Sequence, residues 1–350
     1  MSGPDLLDMD MCELEEFISQ LRQPPYRAKQ IFSWLHQKRV RGFDAMTNLP
    51  APLRAALGEI CHIGQVNLQK RLVSDVDGTV KYLYGLGDGN MVEGVLMRHR
   101  YGNSLCISSQ VGCRMGCAFC ASALGGLSRN LTPGEMLGQV YTAADDIAPD
   151  KIGSIVMMGV GEPLDNFDNV CRFLDLISHP QGFGMSLRHL SLSTCGVVDG
   201  IHKLAERKYP LTLSVSLHSP DDAARSELMP INRKHNISAL IQACRDYFAR
   251  TGRRVSFEYC LIRGKNDSLT DARALAALLN GMSCHVNLIP HNKVNERKLS
   301  RSGAKEIHAF RDELERLDVS ATVRRELGTD LDAACGQLRR REQLTIDNGQ

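Results

Sequence analysis

Twelve cysteines stand in a chain of 350 residues, and Cys113, Cys117 and Cys120 fall within eight consecutive positions. Thiolates at the spacing C-x3-C-x2-C read first as metal ligands. A structural zinc ion takes four protein ligands, usually from paired C-x2-C knuckles, and no second knuckle follows downstream. Three close thiolates suit a [4Fe–4S] cluster in which one iron lacks a protein ligand. That iron is open to the amino and carboxylate groups of S-adenosylmethionine (SAM), and an electron from the reduced cluster cleaves the sulfonium to a 5′-deoxyadenosyl radical. Zinc is the alternative, and with it the chain would be a non-catalytic, metal-stabilised binding module.

A loop of this kind needs a scaffold. From about residue 104 strands and helices alternate. Strands are predicted over 105–111, 152–158, 188–194, 211–217, 254–262 and 284–290, with a last one near 319–324. Helices are predicted over 134–145, 166–178, 199–207, 237–250, 268–280 and 302–317. Thr132-Pro133-Gly134-Glu135 is a helix start with a capping threonine and a glutamate at the third helical position. Six such units predict an α/β fold, a partial (β/α)6 barrel with right-handed crossovers, occupying residues 101–340. The cysteine triplet then lies in the loop after the first barrel strand.

Two regions precede the barrel. Residues 1–61 read as a small helical domain. Asp10 and Glu13 form a capping box ahead of Leu14, Phe17, Ile18 and Leu21, Pro24-Pro25 ends that helix, and a second carries Ile31, Phe32, Trp34 and Leu35. Residues 62–100 read as a short β linker, with Asp77-Gly78 and Asp88-Gly89 as hairpin signals.

Forty-two basic against forty acidic residues give a net charge of +2, too balanced to hold nucleic acid by bulk charge, so any such contact must be local. Residues 22–41 supply one patch: Arg22, Arg27, Lys29, Lys38, Arg39 and Arg41 with no acid among them. The patch reads either as a solvated helix face or as a phosphate-contacting surface. The acidic start of the chain has no apolar core of a secretory signal, and no apolar run approaches a membrane span. A cytoplasmic address is expected, where cysteines are thiols or ligands rather than disulfides.

The triplet is the signature of the radical SAM superfamily. Residues 105–131 (LCISSQVGCRMGCAFCASALGGLSRNL), the segment MGVGEPL at 158–164, Ser216-Leu217-His218 and DAACGQL at 332–338 resemble the RlmN/Cfr family of RNA methyltransferases, and the likeness runs through nearly the whole chain. It implies methylation of C2 of an adenine in 23S rRNA at the peptidyl-transferase centre, and of the adenosine that follows the anticodon in certain tRNAs. The resemblance also implies the means. Cys335 takes a methyl from one SAM, a radical from a second SAM abstracts hydrogen from it, and the methylene radical adds to the ring. Cys106 resolves the covalent protein–RNA adduct by attacking the Cys335 sulfur, forming a transient disulfide, and Glu93 takes the C2 proton. The cluster would rest on Cys113, Cys117 and Cys120, and SAM on Gly161, Glu162, Ser193, Ser216, Leu217, His218 and Asn292.

By residue type alone these are ordinary: a strand cysteine, an exposed strand glutamate, a cysteine between small residues, polar loop residues. Their predicted position is not. The SAM set and the cluster loop fall at the carboxyl ends of successive strands, where parallel α/β sheets bind ligands. A flavodoxin or ferredoxin is the implied electron donor, and a monomer the implied state. Cys12, Cys61, Cys171, Cys195, Cys244, Cys260 and Cys284 fall outside the matched motifs. Ala123 and Lys293 depart from the family's habit, which bears on subgroup; the alternative within it is a Cfr-like enzyme that methylates C8 of the same rRNA adenine.

Overall fold

A computed structural model of the chain describes residues 3–292 and 299–331. Its elements are α1 (Met11–Gln20), α2 (Tyr26–His36), α3 (Ala51–Ile60), β1 (Asn67–Val73), β2 (Val80–Gly85), β3 (Met91–His99), β4 (Gly102–Cys106), β5 (Gln110–Gly112), β6 (Leu127–Asn130), α4 (Pro133–Asp146) and β7 (Ile152–Met157). They continue with α5 (Phe167–Ser178), β8 (Leu190–Thr194), α6 (Val198–Arg207), β9 (Thr212–Ser216), α7 (Asp222–Leu228), α8 (Ile237–Thr251), β10 (Val255–Leu261), α9 (Leu269–Leu279), β11 (Cys284–Pro290), α10 (Ala304–Arg316) and β12 (Ala321–Val323). Both predicted capping boxes form. Asp10 accepts from the Glu13 N–H at the head of α1, and Thr132 accepts from the Glu135 N–H at the head of α4.

Strands β4, β7, β8, β9, β10, β11 and β12 pair in parallel in that order. The connections return over the outer face, where Leu190, Leu192, Leu213, Val215, Phe257, Tyr259, Val286 and Leu288 pack into the helix layer. Parallel strands buried on both faces usually read as unbroken apolar runs. Here they alternate, because the inner face is polar: Ser193, Ser214 and Ser256 stand in register, and above them Ser216, Glu258, Asn287 and Thr322 cross four strands in one row.

The region read as a β linker is built into this sheet. β1, β2 and β3 form antiparallel hairpins, and β3 pairs with β4, so that all ten strands make one sheet from β1 to β12. The two ends of the sheet meet through side chains. Asp77, in the turn after β1, accepts from the Gly328 N–H at 2.9 Å. Asp330 accepts from Ser74 Oγ at 2.7 Å and from the Asp75 N–H at 3.0 Å. Upstream, the helices of the first 61 residues pack on α4 and α5: Asp8 accepts from the Gly134 N–H at 2.7 Å, and His36 Nδ1 lies 2.8 Å from Tyr141 Oη.

Candidate active site

The cysteine loop springs from the small hairpin of β5 and β6. Its neck is closed by the Cys113 N–H donating to Gly126 O at 2.8 Å. Gly112 has φ +81°, and a Cβ there would lie 2.0 Å from Gly126 O, so only glycine permits the neck. The loop is seated in a cup of apolar and sulfur-bearing side chains. Cys195, Leu228, Met229, Cys260 and Ile262 are buried beneath it, and Met115, Cys117, Phe119 and Ile289 pack against them. Burial lifts the thiols: Cys113 is pushed up to about 12, with Cys120, Glu162 and Asp165 adding to the effect, and Cys117 rises further, Cys120 and Cys113 reinforcing burial.

Side chains on the neighbouring strand ends lace this loop to the rim. Gln110 Oε1 accepts from the Glu162 N–H at 2.8 Å, and its Nε2 donates to Asn130 Oδ1 and Asp165 Oδ2. Arg114 pairs with Asp165. Asn166 Nδ2 donates to the carbonyls of Ser109 and Leu131. Gly161, at φ +114°, passes so close that a Cβ would stand 2.7 Å from both the N and the Cβ of Gln110. Glu162 is buried, and its two oxygens accept from the Cys195 N–H at 2.7 Å and the Leu164 N–H at 3.0 Å; burial raises its carboxyl above the usual range, against the lowering effect of those bonds.

His218 is also held by backbone. Its Nδ1 accepts from the Cys260 N–H at 2.9 Å, and its ring meets Phe119 of the cysteine loop edge-on with centroids 4.7 Å apart. Burial drives it down to about 3, so it is a neutral imidazole whose proton is assigned to Nε2 by the acceptor role of Nδ1. Leu217 is buried and donates its N–H to Glu258 O; Ser193 and Ser216 are half-buried on the inner face, and Asn292 is exposed just past β11. Cys335 lies outside the described residues, as does Lys293.

Glu93 and Cys106 come together on the antiparallel side. Val95 of β3 stands opposite Cys106 of β4, and Glu93, two residues earlier on β3, shares their face one step nearer the rim. Glu93 is not the exposed strand glutamate its residue type suggests. It is buried, its carbonyl accepts from Ser108 Oγ at 2.7 Å, and its carboxylate lies 3.4 Å from the ammonium of Lys81.

Four residues that sequence reasoning passed over complete the site: Lys81, Gln110, Arg225 and Asn266. Arg225 is wholly buried and donates to the carbonyls of Leu217, Ser216 and Cys195 and to Asn232 Oδ1. Asn266 donates to the carbonyls of His218 and Cys260. The signal available for them was weak: a lysine within a strand, a glutamine opening a short strand, an arginine within a helix and an asparagine in a loop, none of which spacing separates from a solvated residue.

The helical patch is only partly free. Arg39 pairs with Asp145 at 2.9 Å, and Arg27 donates to Asn48 O and lies over the Tyr26 ring. Lys38 stands 3.4 Å from the Trp34 ring centroid. Arg22, Lys29, Lys38 and Arg41 are exposed beside exposed Tyr26.

A parallel sheet whose first barrel strand leads into a three-thiol loop is the radical SAM architecture, and a family model described as the radical SAM superfamily matches residues 107–276. A second, described as the ribosomal RNA large subunit methyltransferase N-terminal domain, matches residues 4–63. The chain is 50% identical over 337 residues to a probable dual-specificity RNA methyltransferase RlmN of Desulforamulus reducens, covering 96% of each chain. It is 48% identical to the protein of the same description from Alkaliphilus oremlandii over 97% of this chain and 99% of that one. A crystal structure of a radical SAM methyltransferase from Sphaerobacter thermophilus superposes with a TM-score of 0.92 at 42% identity, covering 96% of this chain and 99% of that chain. The chain belongs to the RlmN family of radical SAM RNA methyltransferases.

Membership in the superfamily implies a [4Fe–4S] cluster and SAM. The fit rests on the donor set: three cysteines on one loop, Cys113 buried and Cys117 and Cys120 half-buried, suit a cubane with one iron left open. Among the described residues no helix is long and apolar enough to cross a membrane.

Proposed function

We propose that this protein methylates C2 of a specific adenine in 23S rRNA, and of the adenosine that follows the anticodon in tRNAs, in the cytoplasm. Cys113, Cys117 and Cys120 would hold the cluster. Gly161, Glu162, Ser193, Ser216, Leu217, His218 and Asn292 would hold SAM at the rim. When bound, cluster and SAM supply a 5′-deoxyadenosyl radical, with the electron delivered by a flavodoxin or ferredoxin. Arg225 and Asn266, by occupying the carbonyls of Cys195, Ser216, Leu217, His218 and Cys260, fix the loops that bind.

Cys335 accepts the methyl and carries it to the adenine as a carbon attached through sulfur. Glu93 removes the C2 proton from the covalent adduct, and Cys106 attacks the Cys335 sulfur to free the product. The observation that carries this reading is the juxtaposition of Glu93 and Cys106 on one buried face at the rim. A base and a resolving thiol must address the same adduct, and side chains one strand apart on one face can. Lys29, Lys38 and Arg41, with Tyr26, offer a backbone-gripping face for RNA. The division into residues 1–61, 62–100 and 101–340 would then separate RNA contact, proton removal and radical generation, in a monomer.

Reconstituted protein acting on an rRNA fragment tests the assignment. Cys106→Ala should accumulate covalent protein–RNA adduct, and Cys335→Ala should give neither adduct nor product; equal adduct in both would overturn the division of labour. Mass spectrometry of the product should find 2-methyladenosine, and 8-methyladenosine would move the enzyme to the Cfr-like subgroup.

A further inference from the structure

The inner face of the antiparallel strands holds one ion pair whose partners have no access to solvent. Lys81 of β2 and Glu93 of β3 have side-chain exposures of 0% and 2%, with Nζ 3.4 Å from Oε2. In the ladder Lys81 lies opposite Val95, and Val95 lies opposite Cys106. Lys81, Val95 and Cys106 therefore form one level across three strands, and Glu93 stands one level nearer the rim. Tyr82 and Tyr84, on the other face of β2, turn toward α4, where their hydroxyls donate to Asp146 Oδ2 and Gln139 O.

A buried ion pair is a poor device for stability. Desolvating both charges offsets much of their attraction, and an apolar pair of similar volume commonly serves a fold as well or better. β2 and β3 already have apolar neighbours on this face in Leu83 and Met91, so packing alone gives no reason for a lysine. Function does. A general base must be an ionised acceptor at the moment its substrate arrives, and in a water-poor pocket a nearby cation favours that state.

We propose that Lys81 is the positioning residue of the proton-removal step. Its ammonium balances the Glu93 carboxylate, fixes Oε2 from the floor of the site and so directs Oε1 toward the adenine. Lys81 transfers nothing itself. The C2–H bond breaks, its proton passes to Glu93 and its electron pair returns to the ring; the unpaired electron that radical addition leaves on the adduct would go to a one-electron acceptor, the oxidised iron–sulfur cluster. The inference rests on the assignment of Glu93 as the base, and the experiment separates the two.

The substrate is an rRNA fragment whose target adenosine carries deuterium at C2, followed in single turnover. The readouts are release of that deuteron to solvent, methyl loading of Cys335 and 5′-deoxyadenosine formation. Lys81→Met should slow deuteron release by roughly tenfold to a hundredfold, the size of effect a misplaced catalytic group gives. It should also raise the C2–H/C2–D isotope effect above the wild-type value, because proton removal becomes rate-limiting. Methyl loading and 5′-deoxyadenosine formation should be unchanged, and Lys81→Arg should restore most of the rate. Lys81→Gln, which keeps a donor to Oε2 without stranding a charge, serves if Lys81→Met does not fold, with a smaller shift in the same direction. If Glu93→Gln releases the deuteron at the wild-type rate, the base assignment fails. If Glu93→Gln blocks release while the Lys81 variants leave the isotope effect at the wild-type value, or lose loading and release in proportion, the role of Lys81 is refuted.

Discussion

The parallel rim and the antiparallel wing place functional groups by opposite means. On the rim the proposed binding positions lie in loops or in the last two residues of a strand, and loops owe their shape to whatever satisfies their backbone. Buried Arg225, Asn266, Gln110, Asn166 and Glu162 supply that, each bonding main-chain groups of a neighbouring crossover. On the wing Glu93, Lys81 and Cys106 are members of regular strands, and register alone decides what faces what. Under the proposed function, small-molecule grip would fall to laced backbone, and proton and thiol chemistry to side chains that a ladder holds in step.

Four substitutions put that contrast to the test. The largest effect should follow Ala substitution of Cys113, Cys117 or Cys120: loss of iron, sulfide and the visible absorbance of anaerobically reconstituted protein, with methylation abolished and the fold retained by circular dichroism. Next is Arg225→Met. It removes the donors to the carbonyls of Cys195, Ser216 and Leu217 in a largely buried site, which should lower stability by about 3 kcal/mol and weaken SAM binding, read by thermal denaturation and equilibrium dialysis. A loss of binding with unchanged melting temperature would contradict the lacing argument.

Gly161→Ala should cost about 2–3 kcal/mol, from a side chain at positive φ and a Cβ forced onto Gln110. A comparable Ala at Gly87, where nothing lies within 4 Å, should be nearly silent. The smallest effect concerns the closure of the sheet. Burial tends to raise Asp77, but the N–H groups of Gly328 and Thr79 outweigh it and hold the carboxyl at about 2, below its usual 3.8. A depressed folded-state value means stability present above pH 4 and lost as pH falls toward 2. Because this turn is open to water the effect should be slight. Melting temperatures of wild type and Asp77→Asn should differ near neutrality and converge at low pH; a constant offset would remove the carboxylate from the account.

Most of the scaffold was legible in the sequence because its signals are local. Capping boxes at Asp10 and Thr132 mark helix starts to the residue, and the strand at 284–290 follows its apolar alternation. That the candidate SAM residues lie at the rim was expected from resemblance and from the rule that parallel strands bind at their carboxyl ends, and Ser193 and Ser216 do lie near strand ends. What escaped were properties that only tertiary pairing creates. Lys81 and Glu93 each sit in β-rich segments where a charge ordinarily faces water, and nothing local says that both faces of β2 and β3 are covered. Arg225 lies in DAARSEL, a sequence that fits a solvated helix, yet the side chain is wholly inside. The hairpins of 62–100 carry turn signals that reveal their existence but not their partner, so their continuation into the barrel sheet had no sequence trace.

The contacts of Asp77 with Gly328 and of Ser74 with Asp330 span 251 and 256 residues of chain. A ring completed across such a distance cannot be sealed until the last strand exists, since drawing far-separated segments together is rewarded only when both are in place. The fold therefore has a built-in order of manufacture: the turn after the first strand of the wing stays unpartnered by the far edge of the sheet until residues 328–330 have been made.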